Sequence, residues 1–135
     1  MEQFAYGFGV RTGLSPAEAE ELVRRELGAE GFGVLAEIDV AATLKAKLGV
    51  DRPPYRILGA CNPPLAQRAL AGDELIGLLL PCNVVVYDAG EATVVAAMDP
   101  VLMSGLSPHP DVAAVAAEAR ERLWRALTRL EAAAG

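Results

Sequence analysis

The amino-acid sequence predicts an α+β domain, in which one β-sheet is packed with helices. Short stretches of alternating apolar and polar residues indicate half-buried strands, and longer stretches have the period of an amphipathic helix. Neither a fixed-period repeat nor a low-complexity linker divides the chain. Because 135 residues is a typical length for one domain, residues 1–135 are expected to form a single domain.

The first strand and the first helix have clear signals. Residues 4–10 predict one half-buried strand, because apolar side chains alternate there with small or polar ones. A helix is then expected from Ser15 to Gly28. Ser15 can cap the free N–H groups, Pro16 suits a first helical position, and Glu18 can complete a capping box.

A second strand, a short helix and a third strand are predicted next. Residues 32–38 have the composition of a strand, and Asp39 is expected to cap a helix that Gly49 ends. The Pro-Pro pair at 53–54 favours an extended backbone, which leads into a strand over residues 55–61.

The second half of the chain predicts another helix and a hairpin. Asn62 followed by two prolines indicates a helix start. Residues 76–87 are the most β-prone stretch, although Pro81 suggests a bulge or an edge position within it. A tight turn at 88–91 is expected to lead into a strand over 92–98.

A two-residue hairpin loop would place Cys82 opposite Ala97, with Asp99 diagonal to it on the same face. Residues 100–110 are expected to form a loop, and a long amphipathic helix is predicted from Asp111. Its inward apolar residues are predicted to be Val112, Val115, Ala116, Ala119, Leu123, Leu127 and Leu130.

Composition and charge argue against several classes of protein. The net charge of −6 argues against nucleic acid and anionic membranes as partners. No apolar run approaches the roughly 18 residues of a membrane span, so no membrane-spanning helix is expected. The opening residues lack the pattern of an export signal, so we expect a cytoplasmic protein whose two cysteines are reduced thiols.

Two Cys-Asn dipeptides, at residues 61–62 and 82–83, form the main candidate site. Cys61 precedes a predicted helix N-terminus, which stabilises a thiolate. If residues 76–82 returned parallel to residues 55–61, both sulfur atoms would reach the same level, whereas an antiparallel sheet could separate them. The functional interpretation is a thiol or metal site, with Cys61 and Cys82 as metal ligands. The alternative is that each cysteine is a small core residue and each asparagine a cap or bulge partner. The candidate ligand-binding residues here are Cys61, Asn62, Cys82 and Asn83.

His109 could join the two cysteines and a carboxylate such as Asp99 in a soft metal site. The spacings do not form a short chelating loop, and an exposed loop histidine is the alternative. No phosphate-binding loop is recognisable, because the Gly-Phe-Gly stretch at 31–33 lacks the lysine and hydroxyl that such a loop uses.

Glu37 and Asp39 lie on one face of a predicted strand and complete the set of candidate site residues. They could act as an acid–base pair or as metal ligands. The alternative is that Asp39 is only a helix cap and that Glu37 is a solvated residue paired with Arg56.

Five segments carry a resemblance that covers nearly the whole chain. They are GFGVLAEIDV at 31–40, TLKAKLG at 43–49, YRILGACNP at 55–63, IGLLLPCNV at 76–84 and MDP at 98–100. In this ordered set the chain resembles the bacterial and archaeal domain-of-unknown-function family numbered 302. The resemblance implies a mainly antiparallel sheet with helices in a helix-grip arrangement, similar to the TATA-box-binding protein, and a homodimer. It implies no activity.

The leading functional hypothesis is a homodimeric binding protein for a small molecule or a soft metal ion at the Cys-Asn site. Polar residues that interrupt apolar strands are typical of ligand pockets. One alternative is a redox protein or enzyme that uses Cys61, with Cys82 as the resolving thiol. Another is an assembly module without a ligand. Homodimerisation is expected because a chain with 53 % hydrophobic residues favours an exposed apolar patch. The sequence identifies no cofactor.

Overall fold

The structure is a computed structural model, and it describes residues 1–134. The strands are β1 (Glu2–Phe4), β2 (Gly7–Thr12), β3 (Gly33–Asp39), β4 (Tyr55–Cys61), β5 (Cys82–Asp88) and β6 (Thr93–Met98). The α-helices are α1 (Pro16–Ala29), α2 (Val40–Leu48), α3 (Pro63–Gly72), α4 (Val101–Leu106) and α5 (Pro110–Ala134). A 3-10 helix spans Glu74–Leu79.

The strands form one sheet in the order β1-β2-β6-β5-β4-β3, and every neighbouring pair is antiparallel. Helices α1 and α5 contact each other and pack across the sheet, with α1 against β3, β5 and β6 and α5 against β2. The predicted α+β class and the mainly antiparallel sheet are therefore confirmed. Within residues 1–134, no helix combines the length and the apolar content that a bilayer crossing requires.

The hydrophobic core lies between the sheet and the two long helices. All seven predicted inward residues of α5 are buried there, at 3 % exposure or less. On the sheet, Leu58 and Phe8 are fully buried, and a fully buried side chain of this size contributes about 1.5–3 kcal/mol. The other core side chains of the sheet are Val10, Ala60, Cys82, Val84, Val86, Val95 and Ala97.

Local capping fixes where α1 and α2 begin. Ser15 and Glu18 form the predicted capping box at α1. The Asp39 carboxylate accepts a hydrogen bond from the Ala42 N–H at 2.9 Å, and it caps α2 as expected. Gly49 ends α2 with a φ of 68°, a conformation that glycine adopts without steric cost.

The opening segment forms a hairpin, and the prediction of a single strand over residues 4–10 was wrong. The chain turns at Ala5 and Tyr6, so that β1 pairs back on β2 with Phe4 opposite Gly7. Alternation continues within β2, where Phe8 is buried against the helices. The pattern therefore predicted the faces of β2 correctly but could not reveal the turn, because the turn carries an apolar residue.

Two further segments differ from the prediction. Residues 74–79 form a 3-10 helix that the Asp73 carboxylate caps, so only the second half of the predicted strand over 76–87 is a strand. In the predicted loop over 100–110, residues Val101–Leu106 form the short helix α4, in which Met103 is buried. Both segments are helical turns whose few buried residues give no clear periodicity.

The β5–β6 hairpin is two residues out of the predicted register. Val84, not Cys82, lies opposite Ala97, because the loop contains four residues (89–92). The Asp88 carboxylate accepts a hydrogen bond from the Gly90 N–H, and the Ala89 N–H donates to the Ala92 carbonyl, which closes this longer loop. Since the shift is an even number, the predicted faces of both strands are preserved.

Candidate functional site

The two cysteines come together at one end of the sheet although their strands are antiparallel. Cys61 is the last residue of β4, Cys82 is the first residue of β5, and Ala60 is the backbone partner of Cys82. The chain leaves the sheet at the end of β4, and α3 and the 3-10 helix lead it back to the same end, where β5 begins. The two cysteines are therefore close without the parallel return that the sequence analysis gave as the condition for their proximity. We name Cys61, Asn62 and Cys82 the thiol corner.

The thiol corner surrounds a small and apolar cavity. Its volume is about 30 Å³, which is the share of one water molecule in the liquid. The Cys82 side chain is 5 % exposed, and Cys61 is half-buried. The other walls include Phe32, Leu65 and Met103. A cavity of this size does not accommodate an organic ligand without rearrangement.

The chemistry of Cys82 follows from its burial. Burial, with a smaller contribution from the neighbouring Cys61, raises the pKa of the Cys82 thiol from 9.0 to about 11. At neutral pH the side chain is therefore a neutral thiol, which is a weak nucleophile and a poor metal ligand. Among residues 1–134, no three His, Cys, Asp or Glu side chains are grouped so that they could hold a metal ion.

Asn62 holds two elements together. Its side-chain oxygen accepts a hydrogen bond from the Leu65 N–H at 3.4 Å and caps α3, and its amide donates to the Glu30 carbonyl at 3.2 Å. The backbone turns at Gly31 with a φ of 85°, and a Cβ there would lie 3.0 Å from the Asn62 amide nitrogen. Because Asn62 is 7 % exposed and both ends of its amide are occupied, it joins α3 to the end of α1.

Glu37 and Asp39 lie on the face of β3 that is turned toward α1. Glu37 forms ion pairs with Arg24 of α1 and, at 3.4 Å, with Arg56 of β4. Arg56 also binds Glu20 at 2.9 Å, and this guanidinium lowers the pKa of Glu20. The expected pairing of Glu37 with Arg56 is present, within a network that joins α1 to the edge of the sheet.

The histidine and the aspartate considered with the thiols lie elsewhere. His109 is at the start of α5, 3.8 Å from the Asp111 carboxylate, and lines a different cavity from the thiols. Asp99 accepts a hydrogen bond from the Val101 N–H and forms an ion pair with Arg120 at 3.1 Å. The structure therefore does not bring these two residues into the thiol corner.

Asn83 belongs to the opposite side of the sheet. We name the side that faces away from α1 and α5 the open face. Strand pairing arranges it in cross-strand rows, one of which contains Gly59 and Asn83 as backbone partners. The next row contains Ile57 paired with Val85, and Val85 paired with Ala96. Asn83 is thus an exposed polar residue in an otherwise apolar part of the face.

A groove of about 360 Å³ runs across the open face, and Asn83 lies in its lining. Phe4 and Tyr6 flank it on the β1–β2 side, with ring centres 5.7 Å apart in an edge-to-face contact. Tyr55 and Tyr87 flank it on the β4–β5 side, stacked at 5.1 Å. Between these walls the floor consists of smaller residues, namely Gly7, Val85 and Ala96.

Close packing of the backbone requires glycine in β2 beneath this groove. A Cβ at Gly7 would lie 2.9 Å from the Phe4 ring and 2.5 Å from the Ala97 carbonyl oxygen. A Cβ at Gly9 would lie 2.8 Å from the Ala96 side chain. These contacts are shorter than a Cβ atom tolerates, so both positions require glycine. The absence of side chains here allows Phe4 to lie over β2 and leaves the floor of the groove unfilled.

The four aromatic residues of the groove were not among the predicted site residues. A usable signal was present, because an antiparallel sheet with one solvated face has polar residues at alternate positions. In β4 and β5, by contrast, apolar or aromatic residues predominate at both sets of positions, and Arg56, Asn83 and Asp88 are the exceptions. This signal was obscured by the cysteines, which carry more obvious chemistry.

Comparison with known proteins identifies the family. The family model described as "Domain of unknown function DUF302" matches residues 8–130. The crystal structure of an uncharacterised conserved DUF302 protein from Bacillus stearothermophilus is 33 % identical, with a TM-score of 0.85, and the alignment covers 93 % of this chain and 98 % of that chain. No curated protein matches the sequence. With nearly the whole chain covered by the family model, the protein belongs to the DUF302 family.

Proposed function

We propose that the protein is a homodimeric binding protein, and that its small-molecule ligand occupies the groove on the open face. The observation that carries this proposal is a groove of about 360 Å³ with aromatic walls and one amide side chain, Asn83, in its lining. Small-molecule sites have volumes of roughly 300–1,000 Å³ and combine apolar walls with a few polar groups. Within residues 1–134 the Asn83 side chain makes no hydrogen bond, so its donors and its acceptor are available to a ligand.

The groove is a better candidate than the thiol corner for three reasons. Its volume is about 360 Å³, against about 30 Å³ at the thiol corner. Asn62 uses its amide within the fold, whereas Asn83 does not. The raised pKa of Cys82 also argues against its role as the resolving thiol in the thiol-dependent alternative, since a neutral thiol is a weak nucleophile. The proposal therefore retains Asn83 from the predicted Cys-Asn site and excludes Cys61, Asn62 and Cys82, which line the thiol corner.

Dimerisation is supported by the β3 edge of the sheet. Helix α2 has no buried residue, and a nine-residue helix is marginal in water without packing partners. It adjoins the edge strand β3, where Leu35 is 72 % and Ile38 is 50 % exposed. An exposed apolar edge strand is a site of chain association unless something covers it.

Ligand binding in the groove is tested with N-phenyl-1-naphthylamine, an uncharged aromatic dye that fluoresces when it enters an apolar site. We expect saturable binding by the wild-type protein and a loss of at least about 10-fold in affinity in Ala96→Phe, whose ring fills the floor. Leu78→Lys is the control, because Leu78 is 82 % exposed and lies at another apolar cavity. Binding that survives Ala96→Phe and disappears in Leu78→Lys would contradict the proposed site. Circular dichroism establishes that each variant is folded.

The proposed dimer surface is tested by sedimentation velocity at micromolar concentration. We expect the wild-type protein and Leu78→Lys to sediment as dimers and Ile38→Lys to sediment as a monomer, because the introduced charge would be buried at the interface. A monomeric wild-type protein would refute dimerisation. A dimer that persists in Ile38→Lys and dissociates in Leu78→Lys would indicate that the interface lies at the 3-10 helix and not at β3.

A further inference from the structure

We infer that the ligand of the groove is a neutral, planar heteroaromatic molecule with a lactam edge, that is, a ring N–H beside a ring carbonyl. This inference rests on the proposed function and adds the chemical class of the ligand. Three independent properties of the groove lead to it: the absence of charge in its lining, the arrangement of its aromatic rings, and the hydrogen-bonding pattern of Asn83.

The lining contains no charged side chain. It consists of apolar residues, tyrosines and Asn83. At the border of the open face, Arg11 and Glu2 form an ion pair with each other at 2.9 Å, and the Arg52 guanidinium lies over the Tyr55 ring, 4.9 Å from its centre. A charged group that entered the groove would lose hydration without meeting a lining residue of opposite charge, which is unfavourable. The ligand is therefore neutral in the part that occupies the groove.

The aromatic walls select a flat molecule. Phe4 and Tyr6 lie on one side, and the stacked rings of Tyr55 and Tyr87 lie on the other. The floor between them is low because Gly7 and Ala96 carry no large side chain. Aromatic rings attract other aromatic rings in offset-stacked or edge-to-face geometry, and such contacts add about 0.5–1.5 kcal/mol beyond the buried area. A planar ring system can contact both walls and lie against the floor.

Asn83 determines the hydrogen-bonding edge of the ligand. A primary amide presents one carbonyl acceptor and one NH2 donor side by side in a plane. The complementary group has a donor and an acceptor at the same spacing, and a lactam meets this requirement with its N–H and its carbonyl. The same side-by-side pairing allows asparagine to bind an adenine edge through two hydrogen bonds. A purely apolar ligand would leave the Asn83 amide covered and unpaired.

The test is calorimetric titration with 2-quinolinone, an uncharged bicyclic lactam, and with N-methyl-2-quinolinone as the matched control. The methyl compound keeps the rings and the carbonyl but lacks the N–H donor. We expect it to bind about 10-fold more weakly, because the Asn83 carbonyl would be covered without a donor. In Asn83→Ala the two compounds are expected to bind equally well. Quinoline-2-carboxylate, which carries a negative charge, is expected not to bind.

The outcomes separate the two proposals. Dye binding that Ala96→Phe abolishes, together with equal affinity of the wild-type protein for the two quinolinones, would overturn the lactam class and leave the groove as the binding site. Tighter binding of quinoline-2-carboxylate than of 2-quinolinone would overturn the conclusion that the ligand is neutral. A preference for 2-quinolinone that persists in Asn83→Ala would assign the recognition to another residue. Failure of the dye and of both quinolinones to bind would refute the site itself.

Discussion

Adjacent residues of one strand show how different the two faces of the sheet are. Leu58 of β4 points toward the helices and is fully buried, whereas its neighbour Ile57 points to the open face and is only half-buried. The same holds for Val84 and Val85 of β5. Both faces are apolar, but only one is covered by helices of the same chain. In an antiparallel sheet with one face in water, that face usually carries polar residues. Because the open face is mostly apolar, we expect it to contact a ligand or another chain.

The largest expected effect concerns this pair of neighbours. Leu58→Ala is expected to lower the free energy of unfolding by about 2–5 kcal/mol, because it leaves a cavity between the sheet and the helices. Ile57→Ala is the matched variant, and we expect a loss of about 1 kcal/mol, since the side chain remains partly in water. Urea unfolding monitored by circular dichroism measures both. Equal losses would mean that the open face is covered as completely as the helical face.

A second contrast concerns the two thiols. The pKa of Cys82 is raised from 9.0 to about 11. At pH 8 its thiolate fraction is therefore about 100-fold smaller than that of a thiol with the ordinary pKa, and burial slows its reaction further. We expect one thiol of the native protein to react readily with a chromogenic disulfide reagent and the second to react only on unfolding. Cys61→Ser is expected to remove the fast phase, and Cys82→Ser to leave it unchanged. Two equally fast thiols would contradict the burial of Cys82.

The two asparagines that follow the cysteines form the third contrast. Asn62→Ala removes the cap of α3 and the hydrogen bond to the Glu30 carbonyl, so we expect a loss of about 1–2 kcal/mol in the free energy of unfolding. Asn83→Ala is expected to change stability by less than about 0.5 kcal/mol, because the side chain is exposed and has no partner in the fold. Thermal unfolding of both variants checks this prediction. A strongly destabilised Asn83→Ala would argue for a structural role.

The smallest effect is a dependence of stability on pH at the far end of α1. Hydrogen bonds from Arg125 and Arg129 lower the pKa of Glu30 below its ordinary value of 4.5. Because the pKa in the folded state is the lower one, the stabilisation is present above pH 4.5 and is lost as the pH falls through the folded-state value.

Glu30→Gln is therefore expected to cost less than about 1 kcal/mol at pH 7, since both arginines are largely in water, and to cost less still at pH 3. Urea unfolding at the two pH values measures this difference. A cost that does not change with pH would indicate that the ion pairs contribute nothing and that packing explains the effect.

Local signals in the sequence were sufficient for most of the fold. The caps at Ser15, Asp39 and Asn62 fixed the starts of three helices, because each uses only residues within one turn. The register of β5 against β6 could not be predicted, since the hairpin loop has four residues and not two. Helix α4 was missed for a related reason: a single buried residue, Met103, gives no periodicity to detect.

The candidate site was harder to predict than the fold. Sequence reasoning grouped Cys61 with Cys82, and the structure brings them together, although by a return of the chain through α3 and not by parallel strands. It did not indicate that Asn62 and Asn83 serve different parts of the molecule. Their difference depends on which side of the sheet each faces, and that depends on where α1 and α5 pack.

The sequence by itself determined most of the secondary-structure elements, the apolar stripe of α5 and the family, because each of these is encoded by neighbouring residues or by their period. Tertiary structure alone decided that Phe4, Tyr6, Tyr55 and Tyr87 line one groove. These residues come from three separate segments of the chain, and their assembly depends on the strand order and register of the whole sheet. Strand order is set by long-range packing, for which no short stretch of sequence carries a signal.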